Sequence, residues 1–270
     1  MSRFALLGNP IKHSLSPLMH QAAYEALGLP HTYEAIQTTE ADLPKRIEEL
    51  RKGDFGGLNV TLPHKRRALE LADEVDEVAQ QAGAANTLVL RRGKVIAFDT
   101  DVTAIAERVA QFFGAPPRER ALVIGSGGGA RAAVAALIGL GIREVAVRAR
   151  KIPDDFPAGA KREPFEPNEA VDKKTNIVVQ CTSADMTGAD PGDVMAKVVA
   201  WSALPTNAVA IDMVYAPPDT PFIQAARRHQ IRCEPGLEML VSQGALALEL
   251  WTGLIAPRDA MRTAIMSKLT

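Results

Sequence analysis

Apolar runs of strand length alternate with stretches of helical periodicity along nearly the whole 270-residue chain. The runs predict strands at 3–8, 32–37, 55–61, 87–90, 95–98, 121–124, 144–147, 176–180 and 209–212. Amphipathic stretches at 17–27, 43–51, 103–113 and 130–140 predict helices between them. Such alternation implies parallel sheets covered by helices and joined by right-handed crossovers. Ser16 followed by Pro17 reads as an N-cap with proline at the first helical position.

Two cores are expected. Residues 1 to 101 carry βαβ units with polar motifs at their strand ends, and a new strand starts after 114–120, where Pro116 and Pro117 break the chain. Residues 236–270 read as helix only, interrupted at 253–257. A terminal helical pair with no strand of its own must pack on an existing sheet. The expected domains are therefore 1–101 with 236–270, a discontinuous unit, and 102–235.

Composition narrows the function class. With 47% hydrophobic residues the chain can fill two cores, so disorder is excluded as its main state. Thirty-one basic against 32 acidic residues leave a charge of −1, which gives no electrostatic case for nucleic acid or an anionic membrane. Cys181 and Cys233 cannot form a disulfide framework and read as buried thiols of a reducing compartment. The opening MSRFALLGNP lacks the regions of an export signal, and the apolar stretch between Arg131 and Arg143 is too short to span a bilayer. A soluble cytoplasmic protein acting on a small molecule is expected.

The segment 121–137, ALVIGSGGGARAAVAAL, has the most transparent mechanics. An apolar strand runs into Gly125, Ser126, Gly127, Gly128 and Gly129, then into a small-residue helix beginning near Ala130. Glycines allow the tight turn and a close backbone approach to a pyrophosphate, while the helix N-terminus offers donors and positive partial charge. A flexible loop that binds nothing is the plainer alternative. At the end of the next strand an acid would favour NAD, yet the chain reads Arg148-Ala149-Arg150-Lys151. Guanidinium groups there suit the 2′-phosphate of NADP. An ordinary solvated charge run is the alternative, and Asp154 and Asp155 follow closely.

Three polar clusters mark the first half. Ser14 and Ser16, in the 8–17 segment, place two hydroxyls near a helix start, with capping as the simpler role; Lys12 and His13 read as surface residues. Asn59 and Thr61 are two apart and so share a strand face; Pro63 ends that strand and Lys65 sits in the following turn, where an exposed lysine is the ordinary reading. Asn86 and Thr87 form the third cluster with Asp99, Thr100 and Asp101. There Asn86 could close a turn, and Asp101 could cap a helix. The histidines show no ligand spacing, and no Cys/His/carboxylate cluster suggests a metal.

Taken jointly with Gly83-Ala84-Ala85-Asn86-Thr87, Asp212-Met213-Val214-Tyr215, Thr220-Pro221, the stretch 236–243 and Leu250-Trp251-Thr252-Gly253, these clusters resemble the shikimate dehydrogenase family over most of the chain. The resemblance implies a fold of two α/β domains: a discontinuous N-terminal substrate domain with a parallel-rich sheet, and a Rossmann-type nucleotide-binding domain. It implies reduction of 3-dehydroshikimate with NADPH in the cleft between them. Lys65 and Asp101 match the catalytic pair. Ser14 and Ser16 match hydroxyls that hold the substrate carboxylate, with Tyr215 nearby. Asn59, Thr61, Asn86 and Gln243 match positions that bind or orient ring hydroxyls. Gly125 to Ala130 match the pyrophosphate turn, Arg148 and Arg150 the adenosine-phosphate motif, and Thr182, Ser183, Met213 and Gly236 the remaining cofactor positions. A monomer or homodimer is expected.

Three departures stand out. Asp99 occupies a position where the family pattern has asparagine, and strand alternation would turn it away from Asp101. The cations of 148–150 are shifted relative to the usual Asn-Arg-Thr. Asp185 replaces a glycine near the expected cofactor site. A quinate/shikimate paralogue using NAD or NADP is therefore the alternative, with a metabolite-sensing pseudoenzyme a remoter one; intact Lys65 and Asp101 argue against the sensor.

Overall fold

The computed structural model describes residues 1–113, 119–166, 170–184, 186 and 194–269. Asp185 and most of the 114–120 segment lie outside the described residues. The chain divides into two compact units, Met1–Ala104 with Val241–Thr270, and Ile105–Leu240.

The first unit contains β1 (Arg3–Gly8), α1 (Ser16–Ala26), β2 (Thr32–Gln37), α2 (Leu43–Arg51), β3 (Gly57–Val60), α3 (Lys65–Leu71), β4 (Glu74–Val75), α4 (Glu77–Ala82), β5 (Thr87–Arg91), β6 (Lys94–Phe98) and the start of α5 (Thr100–Phe113). Its sheet has the order β2-β1-β3-β5-β6-β4. Strands β1, β2 and β3 are mutually parallel, but β5 runs antiparallel to both β3 and β6. The sheet is parallel-rich, as expected, and its antiparallel pairs have a local reason. Only Arg92 and Gly93 separate the two strands, both with positive φ (51° and 77°), the geometry that closes a tight hairpin. Alternation of strands and helices elsewhere is as the periodicity reads.

Helix α2 covers this sheet through Leu43, Ile47 and Leu50, a spacing that lines one helical face. They join Leu7, Leu58, Leu88 and Val95 in the core. Each such fully buried aliphatic stabilises by roughly 1.5–3 kcal/mol relative to exposure. The terminal helices α9 (Leu237–Thr252, from Val241 onward) and α10 (Arg258–Leu269) belong to this unit. The Trp251 indole donates to Leu88 O at 3.1 Å. A Cβ on Gly57 would stand 2.1 Å from that ring, so β3 needs glycine where α9 crosses it.

The second unit holds β7 (Arg120–Ile124), α6 (Gly128–Gly139), β8 (Glu144–Arg148), β9 (Ala160–Glu163), β10 (Thr175–Gln180), α7 (Val194–Lys197), β11 (Val209–Asp212), α8 (Pro221–Arg228) and β12 (Arg232–Glu234). Its sheet order is β12-β11-β10-β7-β8-β9, with every pair parallel. This is the doubly wound, Rossmann-type order, in which the direction of winding switches between β7 and β10. Strands β7, β10 and β11 are buried at every position, as inner strands sandwiched by helices must be. Strands β4, β9 and β12, absent from the sequence expectation, are two to four residues long and lie at sheet edges. None carries an apolar run that could announce it.

Candidate active site

Topology gathers the polar clusters of the first unit at one sheet edge. Strands β1 and β3 are parallel, and β6, antiparallel to an antiparallel neighbour, regains their direction. The loops after β1, β3 and β6 therefore leave from the same edge, where β5 begins. Asn9 N–H donates to Leu62 O at 3.0 Å, and Thr38 N–H donates to Gly8 O at 3.0 Å, tying the loops together.

Lys65 opens α3 and forms an ion pair with Asp101 through Nζ and Oδ2. Their side chains are only 15% and 5% exposed, so the pair is largely shielded from water. The other carboxylate oxygen, Oδ1, accepts from Asn86 Nδ2 at 2.9 Å. Asn86 is pinned in turn. Its backbone N–H donates to Phe98 O at 3.0 Å, and its backbone O accepts from Val60 N–H at 2.8 Å. Its side-chain Oδ1 accepts from Thr100 N–H at 2.9 Å and from the Thr87 hydroxyl at 2.8 Å. Thr87 accepts from Asn59 Nδ2 at 3.0 Å, and Asn59 Oδ1 accepts from the Tyr33 hydroxyl at 2.7 Å. A directed chain of donors thus runs from Tyr33 through Asn59, Thr87 and Asn86 to Asp101.

Two capping expectations are corrected. Asp101 does not cap α5: the strand has already given way to helix at Thr100, and Asp99 Oδ1 accepts the Asp101 N–H at 3.1 Å. Strand alternation consequently does not separate residues 99 and 101. Likewise Ser16 is the first residue of α1, and its N–H donates to Ser14 Oγ at 3.2 Å, so Ser14 supplies the acceptor at that helix start. Ser16 is buried and Ser14 half-buried. Thr61 lies one residue past β3, half-buried in a turn closed by His64 N–H donating to Thr61 O at 2.9 Å. Gln243 sits half-buried on α9 beside Gly244, where a Cβ would come within 2.2 Å of Met19 of α1. Tyr215 follows β11 and belongs to the second unit.

Four residues of this network escaped the sequence reading in that role. Tyr33 is the single buried position of β2, and a buried phenol needs a partner. His64 Nε2 lies 2.6 Å from Thr38 O and anchors the start of α3 just before Lys65. Thr100 and Asp99 complete the turn into α5. For Tyr33 the legible signal was an isolated aromatic among polar neighbours; the histidine carried none.

In the second unit the glycine turn lies at the winding switch. Gly125 has φ +115°, and a Cβ there would meet Thr182 Cγ2 at 3.2 Å and the Cys181 backbone at 3.3 Å. Gly127 is the extended N-cap of the twelve-residue α6, with Gly128, Gly129 and Ala130 in its first turn and, among the described residues, open space beside the Gly127 Cα. Ser126 Oγ donates to Lys151 O at 2.6 Å and holds the turn against the loop after β8. Gly129 faces Met213 Sδ, 3.1 Å from an added Cβ. Gly236 N–H donates to Val214 O at 3.1 Å, and a Cβ there would come within 2.6–2.7 Å of the Met213 and Val214 backbone. Thr182 follows β10 and its hydroxyl accepts from Ala184 N–H at 3.2 Å; Ser183 beside it is exposed. Backbone amides at a helix N-terminus, glycines admitting close approach and open space above them fit a dinucleotide pyrophosphate.

The arginines after β8 separate. Arg148 is 1% exposed and pairs with Glu163, while its guanidinium also donates to Val198 O at 3.2 Å and to Ala170 O. Glu163 is shared with Arg120, which donates further to Glu144 at 2.7 Å. Arg148 thus holds the edge strand β9 from inside. The cations of this run that face water are Arg150 and Lys151.

Comparison with known proteins gives these features a family. Residues 6–88 match the model of the shikimate dehydrogenase substrate binding domain, and residues 236–266 that of the shikimate 5'-dehydrogenase C-terminal domain. A shikimate dehydrogenase (NADP(+)) of Thermus thermophilus is 38% identical over 270 residues, covering 98% of this chain and 97% of the relative. The structure of a Thermus thermophilus shikimate 5-dehydrogenase in complex with NADP(H) and shikimate aligns with a TM-score of 0.83 at 36% identity, covering 99% of each chain. A quinate dehydrogenase from Corynebacterium glutamicum in complex with NAD aligns at 0.82 and 26% identity, covering 98% of this chain and 99% of that one.

Proposed function

The chain belongs to the shikimate dehydrogenase family, and we propose that it catalyses the reversible NADPH-dependent reduction of 3-dehydroshikimate to shikimate. The observation that carries this reading is the shielded Lys65–Asp101 pair, oriented by Asn86 at the sheet edge where the polar loops converge.

Bound NADPH supplies the hydride for a ketone-to-alcohol reduction. The chain's own task is to bind, orient and move one proton. Lys65 donates it from Nζ to the ketone oxygen as negative charge develops there, and takes it back in the oxidative direction. Asp101 fixes the amine, and the Asn86–Thr87–Asn59–Tyr33 chain fixes Asp101. We assign Ser14 and Ser16 to the substrate carboxylate, and Asn59, Thr61, Asn86, Tyr215 and Gln243 to binding or orienting the ring hydroxyls. Gly125 to Ala130 receive the pyrophosphate, Arg150 the 2′-phosphate, and Thr182, Ser183, Met213 and Gly236 flank the rest of the cofactor. On this reading residues 1–101 with 236–270 bind substrate and 102–235 bind NADP. Arg148 serves the cofactor only by holding the loop that carries Arg150.

The enzyme acts as a monomer or homodimer. Cys181 and Cys233, half-buried rather than buried, are joined in no disulfide and support a reducing compartment, which we take to be the cytoplasm, and no helix among the described residues is long and apolar enough to cross a membrane.

A second reading has a specific observation behind it. With Arg148 buried, one cation fewer faces the 2′-phosphate, which eases use of NAD, the cofactor of the quinate-using alternative. Absorbance at the reduced-nicotinamide band, with shikimate and quinate each paired with NADP and NAD, separates the readings. Fastest turnover of shikimate with NADP is expected. Dominant turnover of quinate with NAD would support the second reading, and ligand binding without turnover in all four pairs would support a sensor.

A further inference from the structure

The proton-transfer pair is not alone at its strand end. Asp99 is 3% exposed, and its Oδ1 accepts the Asp101 N–H at 3.1 Å. Its other oxygen, Oδ2, is buried with no hydrogen-bond partner among the described residues. A buried carboxylate with one bare oxygen is expensive, because desolvation penalises the charged form. The charged groups acting on it are Asp101, in the first turn of α5, and Lys65 from α3. Lys65 is already engaged by Asp101, which takes one of its oxygens to the amine and the other to Asn86. Burial first, and the Asp101 charge second, push the Asp99 carboxyl well above the usual carboxylate range, with Lys65 and the N–H groups of Asp101 and Val102 opposing.

We propose that Asp99 is held as the neutral acid and acts as a positioning residue, capping α5 through Oδ1 while leaving Asp101 the single carboxylate that faces Lys65. The proposal rests on the reading of Lys65 and Asp101 as the proton-transfer pair. With the proton on Asp99, the three side chains sum to zero charge. Loss of that proton to water adds a negative charge beside the pair, which tightens the hold of Lys65 on its own proton. In the oxidative direction Lys65 must be free to accept a proton, so ionised Asp99 slows turnover at alkaline pH.

Two measurements test this, with Asp99→Asn, a neutral isostere that keeps the capping oxygen, and Asp99→Ser as a second neutral cap should the first fold poorly. Infrared difference spectra of the free protein near neutral pH should lose the carbonyl stretch of a protonated carboxylic acid in the variant. The pH profile of shikimate oxidation, each enzyme scaled to its own maximum, should reach its alkaline plateau about one pH unit or more earlier in the variant. An unchanged acid band, or profiles that superimpose throughout, would overturn the proposal. The infrared experiment needs no turnover. An inactive protein that still shows the acid band would count against the catalytic reading and in favour of a protonated Asp99.

Discussion

Asn86 and Asp101 lie fifteen residues apart in sequence and are joined by one amide–carboxylate hydrogen bond of 2.9 Å. The same amide group accepts the Thr100 N–H at 2.9 Å, so a single side chain satisfies both the first turn of α5 and the carboxylate that holds Lys65. Replacing it with alanine strands buried donors and acceptors, each worth about 1–3 kcal/mol. Asn86→Ala should lower the urea midpoint with little change in slope and reduce kcat. An unchanged midpoint would mean that solvent replaces the amide.

Gly236 and Gly127 make opposite cases. A Cβ at Gly236 would press into backbone atoms of Met213 and Val214, which cannot swing aside. Gly236→Ala should cost about 1–3 kcal/mol in stability and raise KM for NADPH. Gly127 has φ −77° and no atom of the described residues within 4 Å of an added Cβ. Gly127→Ala should therefore leave stability within about 0.5 kcal/mol while weakening NADPH binding. A thermal melt beside a binding titration distinguishes them, and undiminished NADPH affinity would remove Gly127 from the cofactor turn.

The two arginines after β8 should part company in the same way. Arg148→Ala leaves Glu163 partly unpaired in the interior and should destabilise the protein by about 3–5 kcal/mol. Arg150→Ala, at an exposed position, should keep stability and raise KM for NADP about tenfold, leaving KM for NAD unchanged. Parallel losses with both dinucleotides would dissociate Arg150 from the 2′-phosphate.

His20 supplies the pH dependence. It is fully buried, stacked on Tyr33 at 4.2 Å, and neither ring nitrogen has a partner among the described residues. Burial pulls its pKa down to about 3, whereas the unfolded chain protonates it near 6.5. Between those values the unfolded state binds more protons, so stability is complete above the higher value and drains away as pH falls through the window. On the order of 3 kcal/mol should be lost between about pH 8 and pH 4 from this residue. His20→Phe, which keeps a ring for Tyr33, should flatten that slope in denaturant titrations; an equally steep slope would exclude His20 as its source.

Much of this arrangement is legible from residue order. Strands β1 and β11 and helix α2 follow their apolar periodicity to the residue, because each has one unambiguous buried pattern. The glycine turn is readable because strand, glycines and small-residue helix occur in the only order that makes an amide cradle. The antiparallel β5 escapes such reading, since its direction depends on the positive φ of Arg92 and Gly93 rather than on hydrophobicity. Arg148 was misplaced for a different reason. A cation at a strand end reads as solvated unless its partner is known, and Glu163 comes fifteen residues later on a strand with no apolar run. Asp99 and Asp101 illustrate the same limit, because a change from strand to helix between them decides which carboxylate caps and which faces the lysine.

The most direct measurement compares the native enzyme with Lys65→Met in the oxidation of NADPH by 3-dehydroshikimate, alongside NADPH binding by fluorescence. Loss of the ammonium should reduce kcat by about 10²–10⁴-fold while NADPH affinity stays the same, since proton transfer and cofactor binding rest on different residues. Turnover within a few-fold of the native rate would contradict the assignment of Lys65 as the proton donor.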